Sequence, residues 1–312
     1  MAIFNSIWDD LKYSLRTGNM VTKLVVINFA VFVIMKLAYV LLGGFTLGYP
    51  DGLYVKVLHY LCIPASLATL LWQPWSLFSH MFLHDAFWHL AGNMMILLIF
   101  GRIVGDLIGD RRVLPLYIMG GLAGGVFFII SALFGFLPSG GYALGASAAV
   151  MSLGGAALIL APDYKVQLLA LGAVKVKYIV LVLVLLDLTA IAGRYESGGP
   201  LAHIAGFVLG CIVIYQLRDG QDWSEKINRV MGKIVGLFKA NQSSGQAKGQ
   251  KRAAGNMRTT YTSFKDKDRK AKSESDQTFQ EQLDGILDKI KQSGYESLSQ
   301  EEKDFLYKAS QK

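Results

Sequence analysis

Apolar residues in this chain gather into long runs instead of alternating with polar ones. Six runs stand near 21 to 43, 87 to 104, 113 to 137, 145 to 161, 177 to 193 and 200 to 217. Each approaches the roughly 20 residues that a helix needs to cross a hydrocarbon core about 30 Å thick. The pattern predicts an all-α, polytopic membrane protein with six transmembrane helices. Three polar clusters sit inside this apolar background: His80, His84, His89 and Asn93; Gly145-Ala146-Ser147-Ala148; and Ala202-His203-Ile204-Ala205-Gly206. Ionisable and hydroxyl groups are costly in hydrocarbon, so a chain that places them there has a use for them.

The flanks follow other patterns. Phe4, Ile7, Trp8, Leu11 and Leu15 recur at helical spacing in an N-terminal segment, 1–20, which reads as an amphipathic helix in the cytoplasmic interface or as an ordinary capping helix. The first outer loop, 44 to 86, is long and carries Tyr49, Tyr54, Tyr60, Trp72 and Trp75, aromatics suited to the headgroup level. Residues 218–240 put Trp223, Ile227, Val230, Ile234 and Leu237 on one stripe beside Lys226, Arg229 and Lys233, the signature of a helix on anionic lipid. Residues 241–275 have the composition of a disordered linker. Beyond it, 276–312 predict a small helical element: Phe279, Leu283, Ile286, Leu287 and Ile290, a break at Gly294, then Ser299 and Glu302 as a capping box before Phe305 and Leu306. This tail carries no catalytic signature and is read as a docking element for a cytoplasmic partner or as filler.

Composition agrees with the pattern. Hydrophobic residues make up 53% of the 312 and charged ones only 17%, against about 25% charged in a soluble domain. Charge orients the spans. Lys12, Arg16 and Lys23 precede the first run, Arg102, Arg111 and Arg112 join the second to the third, and Lys165, Lys175 and Lys177 join the fourth to the fifth, whereas the intervening loops hold only Lys56 and Arg194. The positive-inside rule then puts both termini in the cytoplasm, in a multi-pass protein of the cell (inner) membrane. The tail, with 19 Lys and Arg against 14 Asp and Glu, supplies most of the formal charge of +8. Asp9, Asp10 and the lack of an early apolar run argue against a cleavable signal peptide. Cys62 in the outer loop and Cys211 deep in the sixth run are too separated to pair and read as plain thiols.

In this topology the second, fourth and sixth spans all begin at the outer face. His89 and Asn93 lie one turn apart near the start of the second, Ser147 opens the fourth and His203 stands early in the sixth, so all share one depth and can converge. A serine needs a neighbouring base to act as nucleophile, and histidine is the usual one. Attack on an amide carbonyl creates an oxyanion that needs preorganised donors, which the Ser147 backbone N–H, the Asn93 amide and the His89 ring can provide. Gly206 and Gly210 on one span, with Ala148, Ser152, Gly155 and Ala156 on another, offer small surfaces for close helix approach.

With these residues in place the chain resembles the rhomboid family of intramembrane serine proteases. The matching text is His80-x3-His84-x4-His89-x3-Asn93, Gly145-Ala146-Ser147-Ala148 and Ala202-His203-x2-Gly206-x3-Gly210, together with Trp75, Phe100-Gly101, Arg112, Tyr117, Gly121 and Gly124-Gly125, over roughly residues 20 to 217. The resemblance implies a Ser147–His203 dyad with no third acid, an oxyanion hole from His89, Asn93 and the Ser147 backbone N–H, and cleavage of transmembrane protein substrates at or near the outer interface. It also implies a half-buried first outer loop and a fifth span that serves as a mobile gate. Relatives often carry a glycine after the serine and a tyrosine four residues beyond it, stacked beneath the base; here those positions are Ala148 and Met151. They also tend to have Trp-Arg where this chain has Trp75-Ser76, and a glutamate where it has Gly105.

Other readings compete. His80 and His84 can brace the outer loop through hydrogen bonds, or bind a metal with His89, although no His-Glu-x2-His occurs and catalytic zinc sites usually add a carboxylate. Neither a metal nor a cofactor is expected, and no nucleic acid partner. Asp187, the acid of the fifth run, is expected to face a wet cavity or the loop above it, with a proton relay as the weaker reading; it has no facing partner for an aspartyl mechanism. The main rivals to a protease are a non-catalytic relative that binds transmembrane helices and a transporter, whose polar sites belong at the midplane.

Overall fold

A computed structural model describes residues 18–42, 52–137, 140–168, 172–193, 198–246, 285–286, 288–290 and 297–310. The predicted N-terminal amphipathic segment up to residue 17, the loop at 43–51, most of the predicted linker and the first apolar positions of the C-terminal element, Phe279 and Leu283, lie outside the described residues. The chain divides into two units, Met1–Ile234 and Val235–Lys312.

In the first unit, helices form where the apolar runs stand: α1 Met20–Leu42, α5 Phe87–Ile108, α6 Val113–Leu133, α7 Ser147–Leu160, α8 Val176–Ala192 and α9 Gly199–Arg218. Between α1 and α5 lie three short helices, α2 Leu53–Leu61, α3 Leu67–Trp72 and α4 Ser76–Ser79, and a 3-10 turn at His80–Phe82. Four segments, Met20–Leu42, Phe87–Ile108, Asp110–Leu133 and Gly199–Arg218, are long and apolar enough to cross a membrane. The other two are shorter, with 14 residues in α7 and 17 in α8. The all-α expectation also omits two small antiparallel pairs. Ile63–Pro64 (β1) pairs with Tyr142–Ala143 (β2), and Lys165–Leu168 (β3) with Gly172–Lys175 (β4).

The core is built around α7. Every residue from Ala148 to Ala157 is buried, and helix α7 meets α6 and α9 at backbone distance because glycines face it. A Cβ at Gly206 would lie 2.1 Å from the Ala148 carbonyl oxygen, one at Gly210 1.9 Å from that of Ser152, and one at Gly124 2.3 Å from the Ala148 Cβ. Without an aqueous driving force between helices, association rests on such contact and on hydrogen bonds. Ser152 Oγ donates to the Leu116 carbonyl at 2.7 Å. Tyr117 Oη donates to the Met81 carbonyl at 2.7 Å and accepts from the fully buried Asn28 amide at 3.2 Å, tying α6 to α1 and to the turn at His80–Phe82.

After α9, helix α10 (Trp223–Gln246) starts five residues later than the predicted 218 and runs six beyond 240. Asp222 caps it, accepting from the backbone amides of Ser224 and Glu225, while its other carboxylate oxygen takes Arg112 Nη2 at 2.8 Å. Partial burial works to raise the Asp222 carboxyl, but the Ser224 and Arg112 bonds outweigh it and hold it below the ordinary carboxylate value. In the second unit, α11 (Gln300–Ser310) opens on the predicted capping box: the Glu302 amide donates to Ser299 Oγ at 3.3 Å and the Ser299 amide to Glu302 Oε2 at 2.7 Å.

Gly210→Ala should lower the thermal midpoint of the detergent-solubilised protein, at a cost of about 2 kcal/mol or more, because overpacking here meets backbone. Gly232→Ala on α10, where a Cβ meets nothing within 4 Å, should leave the midpoint unchanged or raise it slightly through helix propensity. Equal midpoints for the two variants would contradict the backbone contact.

Candidate active site

Helix α7 begins inside the bundle. Its 14 residues span about 21 Å, less than the ~30 Å of a hydrocarbon core, and the chain reaches its start through the buried Gly145 and Ala146. That approach is pinned twice: β1 holds Tyr142 and Ala143, and the Gly145 amide donates to the His80 carbonyl at 2.9 Å. Gly145 has φ +131°, a backbone that L side chains rarely adopt, and a Cβ there would meet His89 Nε2 at 2.9 Å. The glycine therefore lets the His89 ring lie against the turn that presents Ser147. No side chain caps the N-terminus of α7, so its first amides and the positive end of its dipole are available to an anionic group.

Ser147, His89 and His203 together line two adjoining cavities. The larger, about 430 Å³, adds Asp85, Tyr142, Gly145 and Pro200; the second, about 320 Å³, adds Asn93, Met151, Trp88 and Asp187. Both volumes lie within the range that holds a small ligand or a short peptide segment. Asn93 is buried, and its amide donates one hydrogen to the His89 carbonyl at 3.0 Å, which uses one of the two that Nδ2 carries.

His89 and His203 each rest on a carboxylate. His89 Nδ1 lies 2.6 Å from Asp85 Oδ1, and His203 Nδ1 lies 2.8 Å from Asp187 Oδ1. Because an ionised carboxylate only accepts, Nδ1 is the donor in both pairs and Nε2 is the nitrogen left for chemistry. Partial burial works to raise the Asp85 carboxyl, and its hydrogen bond with His89 and the charge of that ring outweigh this, so the net displacement is downward. The resemblance implied no third acid, and Asp187 was expected in a wet cavity or under a loop. In the structure it lines the second cavity and is hydrogen-bonded to His203. Asp85 was missed altogether. Its signal was its position four residues before His89, where a helix start brings the two onto one face.

The other expected residues lie around this centre. Met151 is buried at the floor of the second cavity, and Gly206 touches the Ala148 carbonyl beneath the first. His84 stands edge-on to the His89 ring, with centroids 5.1 Å apart. The bracing that His80 provides runs through its main-chain carbonyl, and its buried ring packs beside Gly125. Burial pushes His80 down to about 4, and burial followed by the neighbouring His89 does the same for His84.

Four helices able to cross a membrane, packed with the shorter α7 that Ser147 opens, define a multi-pass helical membrane protein. Residues 71–219, close to half of the chain, match the Rhomboid domain family. Residues 266–312 match a family of unknown function (DUF6576). Over 140 residues the chain is 29% identical to "Rhomboid protein 1, mitochondrial" of Saccharomyces cerevisiae, which covers 44% of this chain and 40% of that protein. The chain thus spans about two fifths of that relative's length.

Folding keeps His80 and His84 neutral, with values near 4 against the ordinary 6.5. Their contribution to stability is full above about pH 6.5 and is lost as the pH falls from there through about 4, by about 1.4 kcal/mol per pH unit for each. A thermal midpoint that declines across this window in wild type, and less steeply in His84→Leu, is the expected result.

Proposed function

We propose that this chain is an intramembrane serine endopeptidase with six spans and both termini in the cytoplasm, cutting transmembrane segments of other membrane proteins at or near the outer interface. The observation that carries the reading is the shared cavity: Ser147, His203 and His89 line it together, at the uncapped end of a helix too short to span a hydrocarbon core. The match of residues 71–219 to the Rhomboid domain family supports it.

In this reading Ser147 Oγ attacks the scissile carbonyl carbon and gives its proton to His203 Nε2. The oxyanion is met by the Ser147 backbone N–H, the second Asn93 amide hydrogen and His89 Nε2. Since His89 Nδ1–H is given to Asp85, donation from Nε2 makes the ring an imidazolium between two negative oxygens, and the Asp85 carboxylate offsets that charge. His203 then returns its proton to the leaving amine, and water, deprotonated by the same ring, releases the acyl group. A helical substrate must unwind first, because its backbone is otherwise hydrogen-bonded within itself. Water in the sunken cavity can then replace the lost bonds. The small apolar turns at the start of the fourth and sixth helices leave space for that extended segment. The tail is read as a docking element for a cytoplasmic partner, outside the chemistry.

Purified protein in liposomes should cut a single-span model substrate. Ser147→Ala and His203→Ala should each lower the rate by on the order of 10³-fold or more while keeping the thermal midpoint. A fluorophosphonate should label the wild type at Ser147 and leave Ser147→Ala unlabelled. Undiminished cleavage by Ser147→Ala rejects the mechanism; absence of both cleavage and labelling in the wild type favours a non-catalytic protein that binds transmembrane helices.

A further inference from the structure

Asp187 is the one acid of α8, a helix otherwise made of Val, Leu, Ile and other weakly polar residues after its first turn. Its carboxylate is largely covered, with 14% of the side chain exposed, and among the described residues its hydrogen-bond partner is His203 Nδ1 at 2.8 Å. Met151, Leu183 and Leu186, which line the same cavity, offer the imidazole no polar group. A neutral imidazole with no acceptor on either nitrogen has no fixed tautomer, and only the Nδ1–H form leaves a basic Nε2. A carboxylate in an apolar helix is costly unless a partner offsets it. Its position on the ring's far nitrogen is the position from which an acceptor decides the tautomer.

We infer that Asp187 is the positioning residue of His203, holding the ring as the Nδ1–H tautomer so that Nε2 is free to take the Ser147 proton. The inference rests on the protease reading above and adds to it a third group, carried by a different helix. The proton from Ser147 Oγ goes to Nε2 and returns from there to the leaving amine. Asp187 stays ionised throughout and accepts the same Nδ1 hydrogen before, during and after the transfer. Because the carboxylate belongs to α8 and the ring to α9, the base is oriented only while α8 lies against the bundle. Buried residues on α8 are confined to Val176 and Val180 near its start, and Leu181, Val182, Leu185, Leu186 and Leu188 are exposed. The Asp187 contact is therefore the polar tie of its outer half.

The test compares Asp187→Asn with Asp187→Ala in the full chain. Asparagine keeps the size of the side chain and can donate to Nδ1, which fixes the wrong tautomer; alanine leaves the ring to choose. Positioning predicts that Asp187→Asn lowers kcat by on the order of 10²- to 10⁴-fold with KM little changed, and that Asp187→Ala is no worse. A plain brace for α8 predicts the reverse order, with the isosteric asparagine near wild type, and that order overturns the inference. Histidine ¹⁵N spectra read the ring without turnover, with the signal assigned through His203→Gln. Wild type should show a protonated Nδ1 with a strongly downfield hydrogen that is lost in both Asp187 variants; an unprotonated Nδ1 in wild type overturns the inference. Because the spectra need no cleavage, a wild type that cuts nothing while showing the Nδ1–H signal fails the protease reading alone.

Discussion

The structure depends on how closely three helix backbones can approach. Helix α7 has α6 on one side and α9 on the other, and at Gly124, Gly206 and Gly210 even a methyl group would collide with its main chain or its Ala148 Cβ. Hydrocarbon provides no hydrophobic pressure between helices, so dispersion contact at this range and a few buried hydrogen bonds must hold them. Close approach has a second effect. It brings the serine at the head of α7 and the histidine one turn above Gly206 to the same cavity wall.

Short helices and pinned turns then set the depth of that cavity. A 14-residue α7 cannot cover the hydrocarbon thickness, and its uncapped N-terminus favours developing negative charge. The β1–β2 pair and the Gly145-to-His80 bond hold the turn that leads into Ser147. Polar backbone at this depth is tolerated because it lines a cavity and is buried in protein.

Two carboxylate–imidazole pairs give the cavity its electrostatics. Asp85 and His89 are neighbours on one helix start and partly exposed to water; Asp187 and His203 come from different helices and are mostly covered. In both, the carboxylate takes Nδ1 and leaves Nε2 for chemistry. The arrangement also gives Met151 a physical context. Where the resemblance leads one to expect a tyrosine beneath the base, a methionine offers an adaptable apolar floor, and the polar contact to the ring comes from the side.

Much of this was legible before any coordinates. Hydrophobic runs place the helices because crossing hydrocarbon demands about 20 apolar residues and internal hydrogen bonding, both local properties. The capping box at Ser299 and Glu302 and the turn spacing of His89 and Asn93 are local as well. The glycines of α9 already announced a close contact, though not its partner. What the chain could not announce were relations between distant elements. Asp187 looked like an isolated acid because its histidine lies 16 residues on, across a helix boundary, and whether the two meet is decided by how α8 rotates against α9. Likewise, the bracing by His80 runs through a carbonyl that any residue would supply, so nothing in its identity revealed it. Sequence by itself determined where the apolar helices run, since this follows from solvation and helix geometry, and it offered the candidate residue types for the site. Only the tertiary structure decided which carboxylate faces which ring, because a hydrogen bond needs a direction and a distance that periodicity does not contain.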